Sequence, residues 1–188
     1  INSYHTKVTL EALHPNIVVQ RHPDHLAGGV LYWSRHEKTV VVDQRIAFMG
    51  GLDLAFGRYD CCNHRLSDLG AENGAERHHI WTGMDYSNPR IRDFRNVSNH
   101  DNCLVDRNTV PRMPWHDVHC VLYGQAARDL GRHFIQSWNY VKAEKAPASV
   151  PFLIPRADFP ADSDMKGTCQ VQILRSCADW SLGCSVER

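Results

Sequence analysis

An α/β architecture is what this chain's periodicities predict, on three observations. Two short apolar runs, Val40-Val41-Val42 and Ile46 to Met49, are separated by Gln44-Arg45 and closed by Gly50-Gly51, a hairpin pattern. Ala127, Leu130, Phe134, Trp138 and Val141 recur at three- and four-residue steps, so Gln125–Lys142 reads as a long amphipathic helix whose stripe is a core face. The length, 188 residues, suits one domain, and a domain of this size buries roughly 70% of its unfolded surface.

The elements follow in order. Ser3 to Leu13 reads as a helix, with Val8 or Thr9 and then Leu13 on one face, and His14-Pro15 stops it because proline disfavours helix in the residue before it. Ile17 to Gln20 is expected as a short buried strand, His22 to His25 as a turn, and Val30 to Trp33 as a second strand. His36 to Val42 and Ile46 to Met49 form the hairpin, and Gly50-Gly51 permits close backbone approach or positive φ. Ser67 to Asn108 is rich in Asn, Gly and Asp and reads as surface loop. After the long helix, Ala146 to Lys166 gathers Pro147, Pro151, Pro155 and Pro160 and reads as a linker. Val171 to Leu174 reads as a strand opening a new unit. The expected organisation is a lobe over 1–145, then a linker and the start of another lobe over 146–188.

Twenty-one basic and twenty-one acidic residues cancel, so no broad basic field supports nucleic-acid binding. Seven cysteines, odd in number and without any Cys-x-x-Cys, favour reduced thiols in a cytoplasmic setting. Every apolar run is far shorter than the roughly 20 residues needed to span a bilayer, so membrane contact is expected to be peripheral. The chain lacks an initiator methionine and a signal-peptide pattern, and is expected to begin inside a larger protein.

The chemistry lies in His36-Glu37-Lys38-Thr39-Val40-Val41-Val42-Asp43. Residues two apart on a strand share a face, so the His36 imidazole and the Lys38 ammonium project together. That suits a bound phosphate: a neutral imidazole is the nucleophile and a compact cation holds the phosphate oxygens. Asp43 is expected to orient the pair or balance its charge. Gly50 and Gly51 let backbone approach, and Asp53 is a candidate second acceptor. An isolated His-x-Lys is ordinarily an exposed pair on an edge strand; Asp43 and the Gly-Gly at set distances shift the reading to half of a phosphodiesterase site.

The run His36-x-Lys38-(x)4-Asp43-(x)6-Gly50-Gly51 resembles the signature of the phospholipase D superfamily. Longer segments narrow the resemblance to the eukaryotic phosphatidylcholine-hydrolysing enzymes. Among them are Arg21-His22-Pro23-Asp24-His25, the stretch from Gly51-Leu52-Asp53 to Tyr59-Asp60, Pro111 to Val118, Ala126 to Leu130, and Leu174 to Ser181. The similarity runs over nearly the whole chain and is weakest from about Ala71 to Asp106. It implies two similar α/β lobes, each a mixed β-sheet flanked by helices, with the site between them and one His-Lys-Asp set from each. It further implies a phosphohistidine intermediate, no metal or other cofactor, and conversion of phosphatidylcholine to phosphatidic acid and choline at a membrane surface. His36 then looks like the nucleophile of the first lobe, Lys38 its phosphate ligand and Asp43 its support.

The departure from the pattern is the second His-x-Lys-(x)4-Asp, which these residues lack: His5-Thr6-Lys7 has no aspartate five residues on, and His116-Asp117-Val118-His119 is no substitute. The chain therefore looks like the first catalytic lobe, with the complementary lobe expected in cis or in trans. Two rivals are a homodimeric single-motif phosphodiesterase or nuclease and an inactive truncated form that binds lipid or a partner. Trp115, His116 and Asp117 are candidates for hydrogen bonds behind the site, against the equal alternative of a buried aromatic corner. Cys61, Cys62 and His64 fit one tetrahedral metal poorly. Arg21, Arg58 and Arg65 are either headgroup contacts or ordinary paired arginines.

Overall fold

The computed structural model describes residues 3–22, 34–54, 58, 60–66, 111, 114–145, 148–157 and 169–184. The expected strand at Val30–Trp33 and the expected loop at Ser67–Asn108 lie outside these residues. The chain divides into two compact units, one over 3–50 and 119–188, the other over 1–2 and 51–118.

The larger unit is built on a three-stranded sheet in the order β1 (Lys38–Val42), β2 (Ile46–Gly50), β3 (His119–Tyr123). The expected α/β class holds, and both strand pairings are antiparallel. The β-branched run Thr39 to Val42 favours the pleated backbone, and the chain reverses where Arg45 N–H donates to Val42 O at 3.0 Å. Asp43 and Gln44 fill the turn with φ of 52° and 56°, the handedness that matches strand twist in a tight hairpin.

Register assigns the two faces. Thr39, Met49 and Cys120 form one cross-strand row, and Val41, Ala47 and Leu122 the next. This face meets α2 (Gln125–Lys145), and Ala47, Ala127 and Leu130 are buried there with Val41, Met49, Leu122 and Ile173 packed around them. On the other face stand the rows Lys38–Gly50–His119, Val40–Phe48–Val121 and Val42–Ile46–Tyr123. At Gly131 of α2 a Cβ would come within 3.1 Å of Gln44 Cγ, so glycine lets the helix close on the hairpin turn.

Several expectations change. The helix α1 (Ser3–Leu13) forms as expected, but none of its residues is buried. Ile17–Gln20 is not a strand, because side chains of α1 take the backbone groups a ladder would use. Lys7 Nζ donates to Val19 O at 2.6 Å, and Val19 N–H donates to Glu11 Oε1 at 3.0 Å. Val19 N–H first, and Lys7 second, hold the Glu11 carboxyl below its ordinary range.

Phe134 belongs to the apolar stripe of α2 yet remains 45% exposed. It stands at the edge of a cavity of about 240 Å³ that it shares with Trp138 and Val141. His133 and Ile135 are buried instead.

Beyond α2, the segment expected as a linker is fastened to that helix over 148–157. Asn139 exchanges two hydrogen bonds of 2.8 Å with the backbone of Leu153, and Trp138 Nε1–H donates to Pro151 O at 2.9 Å. Val171–Leu174 runs without strand pairing; Ile173 still reaches the core. The short α3 (Asp179–Leu182) ends at Gly183, whose φ of 70° suits glycine.

Candidate active site

His36 sits two residues ahead of β1, exposed, and Lys38 is the strand's first residue, half-buried. Alternation carries across that boundary. Lys38 Nζ lies 2.9 Å from His36 Nε2 and donates to His36 O at 3.0 Å. A charged ammonium has no lone pair, so Nε2 must accept, which leaves a neutral imidazole carrying its proton on Nδ1. The Nε2 lone pair is therefore capped by a cation that a phosphate oxygen can draw away.

Gly50 is opposite Lys38, and His119 is opposite Gly50. The glycine leaves bare backbone between Lys38 and His119 on this face. Two strand spacings separate them, about 9.6 Å. Sequence reasoning did not select His119, because the strand that carries it was not recognised.

Asp43 is not brought to the pair. It occupies the hairpin turn, five residues past Lys38, about 17 Å along an extended strand. Its carboxylate makes no hydrogen bond or ion pair among the described residues. His36 and Lys38 line neither the cavity beside Phe134 nor a second one of about 330 Å³ between α2 and Val171–Ile173.

The residues between and beside the pair point the other way, toward α2. Glu37 Oε2 accepts from His133 Nε2–H at 2.7 Å and from Arg35 Nη2 at 3.0 Å. Arg35 Nη1 also reaches Ser137 Oγ and, at 3.5 Å, Ser181 O. On its far side the buried His133 accepts at Nδ1 from Arg175 Nη1 at 2.9 Å. One neutral tautomer satisfies both ring nitrogens. The hydrogen bond from His133, then the charge of Arg35, pull the Glu37 carboxyl from 4.5 down to about 2 against the opposing effect of burial. This network was missed in the sequence, where His133 was one of twelve histidines. The available signal was alternation: if His36 and Lys38 face one way, Glu37 faces the other.

In the smaller unit, Gly51 N–H donates to Val118 O at 3.0 Å. A Cβ on Gly51 would overlap the Asp117 carboxylate, which itself accepts from Val118 N–H at 2.7 Å. Asp53 pairs with Arg58 at 2.5 Å, and the Arg58 guanidinium lies 3.9 Å over the Trp115 ring. Arg58 is thus a paired and stacked arginine. Trp115 Nε1–H is buried without a hydrogen-bond partner among the described residues. His116 stacks on His64 with ring centroids 4.0 Å apart, and His64 Nδ1 lies 3.2 Å from Asp60 Oδ2. No group of three or more His, Cys, Asp or Glu side chains able to hold a metal occurs among the described residues.

Comparison with known proteins adds an independent finding. The family profile described as phospholipase D matches residues 5–187. The chain is 49% identical over 190 residues to phospholipase D1 of Schizosaccharomyces pombe, covering 97% of this chain and 14% of that protein. It is 42% identical over 210 residues to phospholipase D2 of Bos taurus, covering 97% of this chain and 22% of that one. It is 46% identical over 157 residues to phospholipase D zeta 2 of Arabidopsis thaliana, covering 82% of this chain and 14% of that protein. The chain thus spans a minor part of each relative's length.

Proposed function

For a chain that belongs to the phospholipase D family, we propose that these residues supply one half of a site that cleaves a phospholipid phosphodiester, with His36 as nucleophile. The observation that carries this reading is the 2.9 Å contact between Lys38 Nζ and His36 Nε2, which puts a lone pair and a cation where one phosphate group can meet both.

A phosphate oxygen draws Lys38 off Nε2. The freed lone pair attacks phosphorus and forms a P–N bond, while the bond from phosphorus to the headgroup oxygen breaks. Lys38 neutralises the charge that develops on the non-bridging oxygens. The departing alkoxide takes its proton from an acid on the complementary lobe, in cis or in trans. Water then gives a proton to that same residue and attacks phosphorus, and the P–N bond breaks to restore the neutral imidazole. With phosphatidylcholine the products are phosphatidic acid and choline, and the protein works while docked peripherally on the membrane. No described helix is long and apolar enough to cross a bilayer.

Asp43 takes no part in these steps. Its place is the hairpin turn, where a short polar side chain tolerates positive φ. Because His36 is exposed and no described residue stands ready as the acid, the isolated chain is expected to bind lipid without turnover.

The test uses a longer chain carrying both His-x-Lys sets, with phosphatidylcholine vesicles and a primary alcohol. Phosphatidyl-alcohol is expected from the parent and not from His36→Asn. Undiminished product from that variant defeats the proposal.

A further inference from the structure

Away from the sheet, two thiols meet. Cys177 Sγ lies 2.8 Å from Cys184 Sγ, the two residues flanking α3. Both are free and half-buried. Among the described cysteines this is the one thiol–thiol contact.

Its surroundings are polar and organised. Gln136 of α2 points its Nε2 at both sulfurs, 3.3 Å from Cys184 and 3.8 Å from Cys177. The same side chain's Oε1 accepts from Arg175 Nη1 at 2.6 Å. An amide donor and a nearby guanidinium are what a thiolate needs to form. The hydrogen bond with Cys184, then burial, hold the Cys177 thiol above its usual range. Gln136 Nε2 lies closer to Cys184 than to Cys177, so Cys184 is the sulfur better placed to make the first attack.

We propose that Cys177 and Cys184 form a reversible thiol–disulfide site that exchanges with low-molecular-weight disulfides. The Cys184 thiolate attacks one sulfur of an external disulfide RSSR, forming a mixed disulfide and releasing RS⁻. The Cys177 thiolate then attacks Cys184 Sγ, closing the bridge and releasing the second RS⁻. The two protein protons leave with the two thiols, so RSSR is reduced by two electrons and the pair is oxidised by two. A disulfide bond is about 2.05 Å long, so the sulfurs need only a small approach.

The bridge closes on a segment that matters to β1. Arg175, just before Cys177, donates to His133, and Ser181, inside the bridged loop, offers its carbonyl to Arg35. Oxidation replaces a thiol acceptor of Gln136 with a weaker disulfide sulfur and ties down the loop that carries both anchors. The redox state of the pair thus reaches the side of β1 behind His36.

The full chain is incubated, folded, with glutathione disulfide; free thiols are alkylated and the sites mapped by mass spectrometry. The expected product is a Cys177–Cys184 bridge lacking two hydrogens, reversed by dithiothreitol. At Cys184 the mixed disulfide should not accumulate, because the second step is intramolecular, whereas exposed Cys120 should stop at its glutathione adduct. Cys177→Ser should trap glutathione on Cys184. Recovery of Cys177 and Cys184 as alkylated thiols while other cysteines oxidise overturns the proposal, as do stable adducts on either residue of the parent chain. Neither outcome depends on the variant folding.

Discussion

On one face at the start of β1, His36 and Lys38 meet in the open at 2.9 Å. On the opposite face Arg35 and Glu37 are wired to His133, Ser137 and, through His133, to Arg175. The same four-residue stretch therefore carries one pair in contact with each other and one pair bonded to α2. The difference teaches a division of labour that alternation makes possible. On the proposed reading, His36 and Lys38 exchange partners during turnover, while Arg35 and Glu37 hold the backbone of the same stretch from behind.

The strongest way to break this comparison is to act on the open face. In a chain that carries the complementary His-x-Lys set, His36→Asn is expected to lower phosphatidyl-alcohol formation about a thousandfold or more, because it removes the covalent step. Lys38→Met should cost about a hundredfold or more in kcat through lost charge stabilisation. Neither change should move the thermal midpoint appreciably. A variant of either residue that unfolds the protein while sparing turnover would reverse the roles assigned to the two faces.

On the wired face the expected order inverts, with stability hit first and rate second. Glu37→Ala leaves the buried His133 donor without its acceptor, a loss of about 1–3 kcal/mol, readable as a lower urea midpoint. Glu37→Gln keeps an acceptor at the same place and should recover most of it. If activity falls in Glu37→Ala, a change shared by kcat and KM fits a displaced strand. An intact midpoint with abolished kcat would make Glu37 a participant in the chemistry.

The acid limb of stability sharpens the point. The Glu37 carboxyl titrates near 2 in the folded protein against 4.5 ordinarily. A depressed folded value means the stabilisation is complete above pH ~4.5 and fades as pH falls toward ~2. With its side chain 38% exposed, the effect is screened and amounts to about 1 kcal/mol, well below the full shift. Denaturant midpoints measured between pH 5 and pH 2.5 should fall less steeply in Glu37→Gln than in the parent. Parallel curves would mean that the ion pair does not contribute.

The sequence made the open face legible and the wired face illegible for one physical reason. Local periodicity places His36 and Lys38 together whatever the tertiary fold, and it located α1, α2 and both hairpin strands. Partners brought from far along the chain, such as His133 and Arg175 around Glu37, depend on packing that no local window reports. The strand His119–Tyr123 escaped because its pattern is short and begins at a histidine, yet it completes the sheet and puts His119 across Gly50 from Lys38. Ile17–Gln20 failed as a strand because Lys7 and Glu11 captured Val19, a competition between side chain and ladder that propensity does not weigh. Asp43 illustrates the converse: its spacing from the pair was clear, but spacing along a strand is distance, and distance put it out of reach.

Asp43 therefore supports the smallest prediction. With φ of 52° it occupies a region where β-branched side chains pay about 1–2 kcal/mol, while Asn and Gly enter it readily. Asp43→Asn and Asp43→Gly should leave the thermal midpoint nearly unchanged, and Asp43→Val should lower it by that amount. Because the turn lies about 17 Å from Lys38 along the strand, the Asn variant should also retain kcat to within a few-fold. A collapse of kcat in Asp43→Asn at unchanged midpoint would mean that the carboxylate charge, rather than the turn, is what this position contributes, and that the hairpin's two ends act on one another.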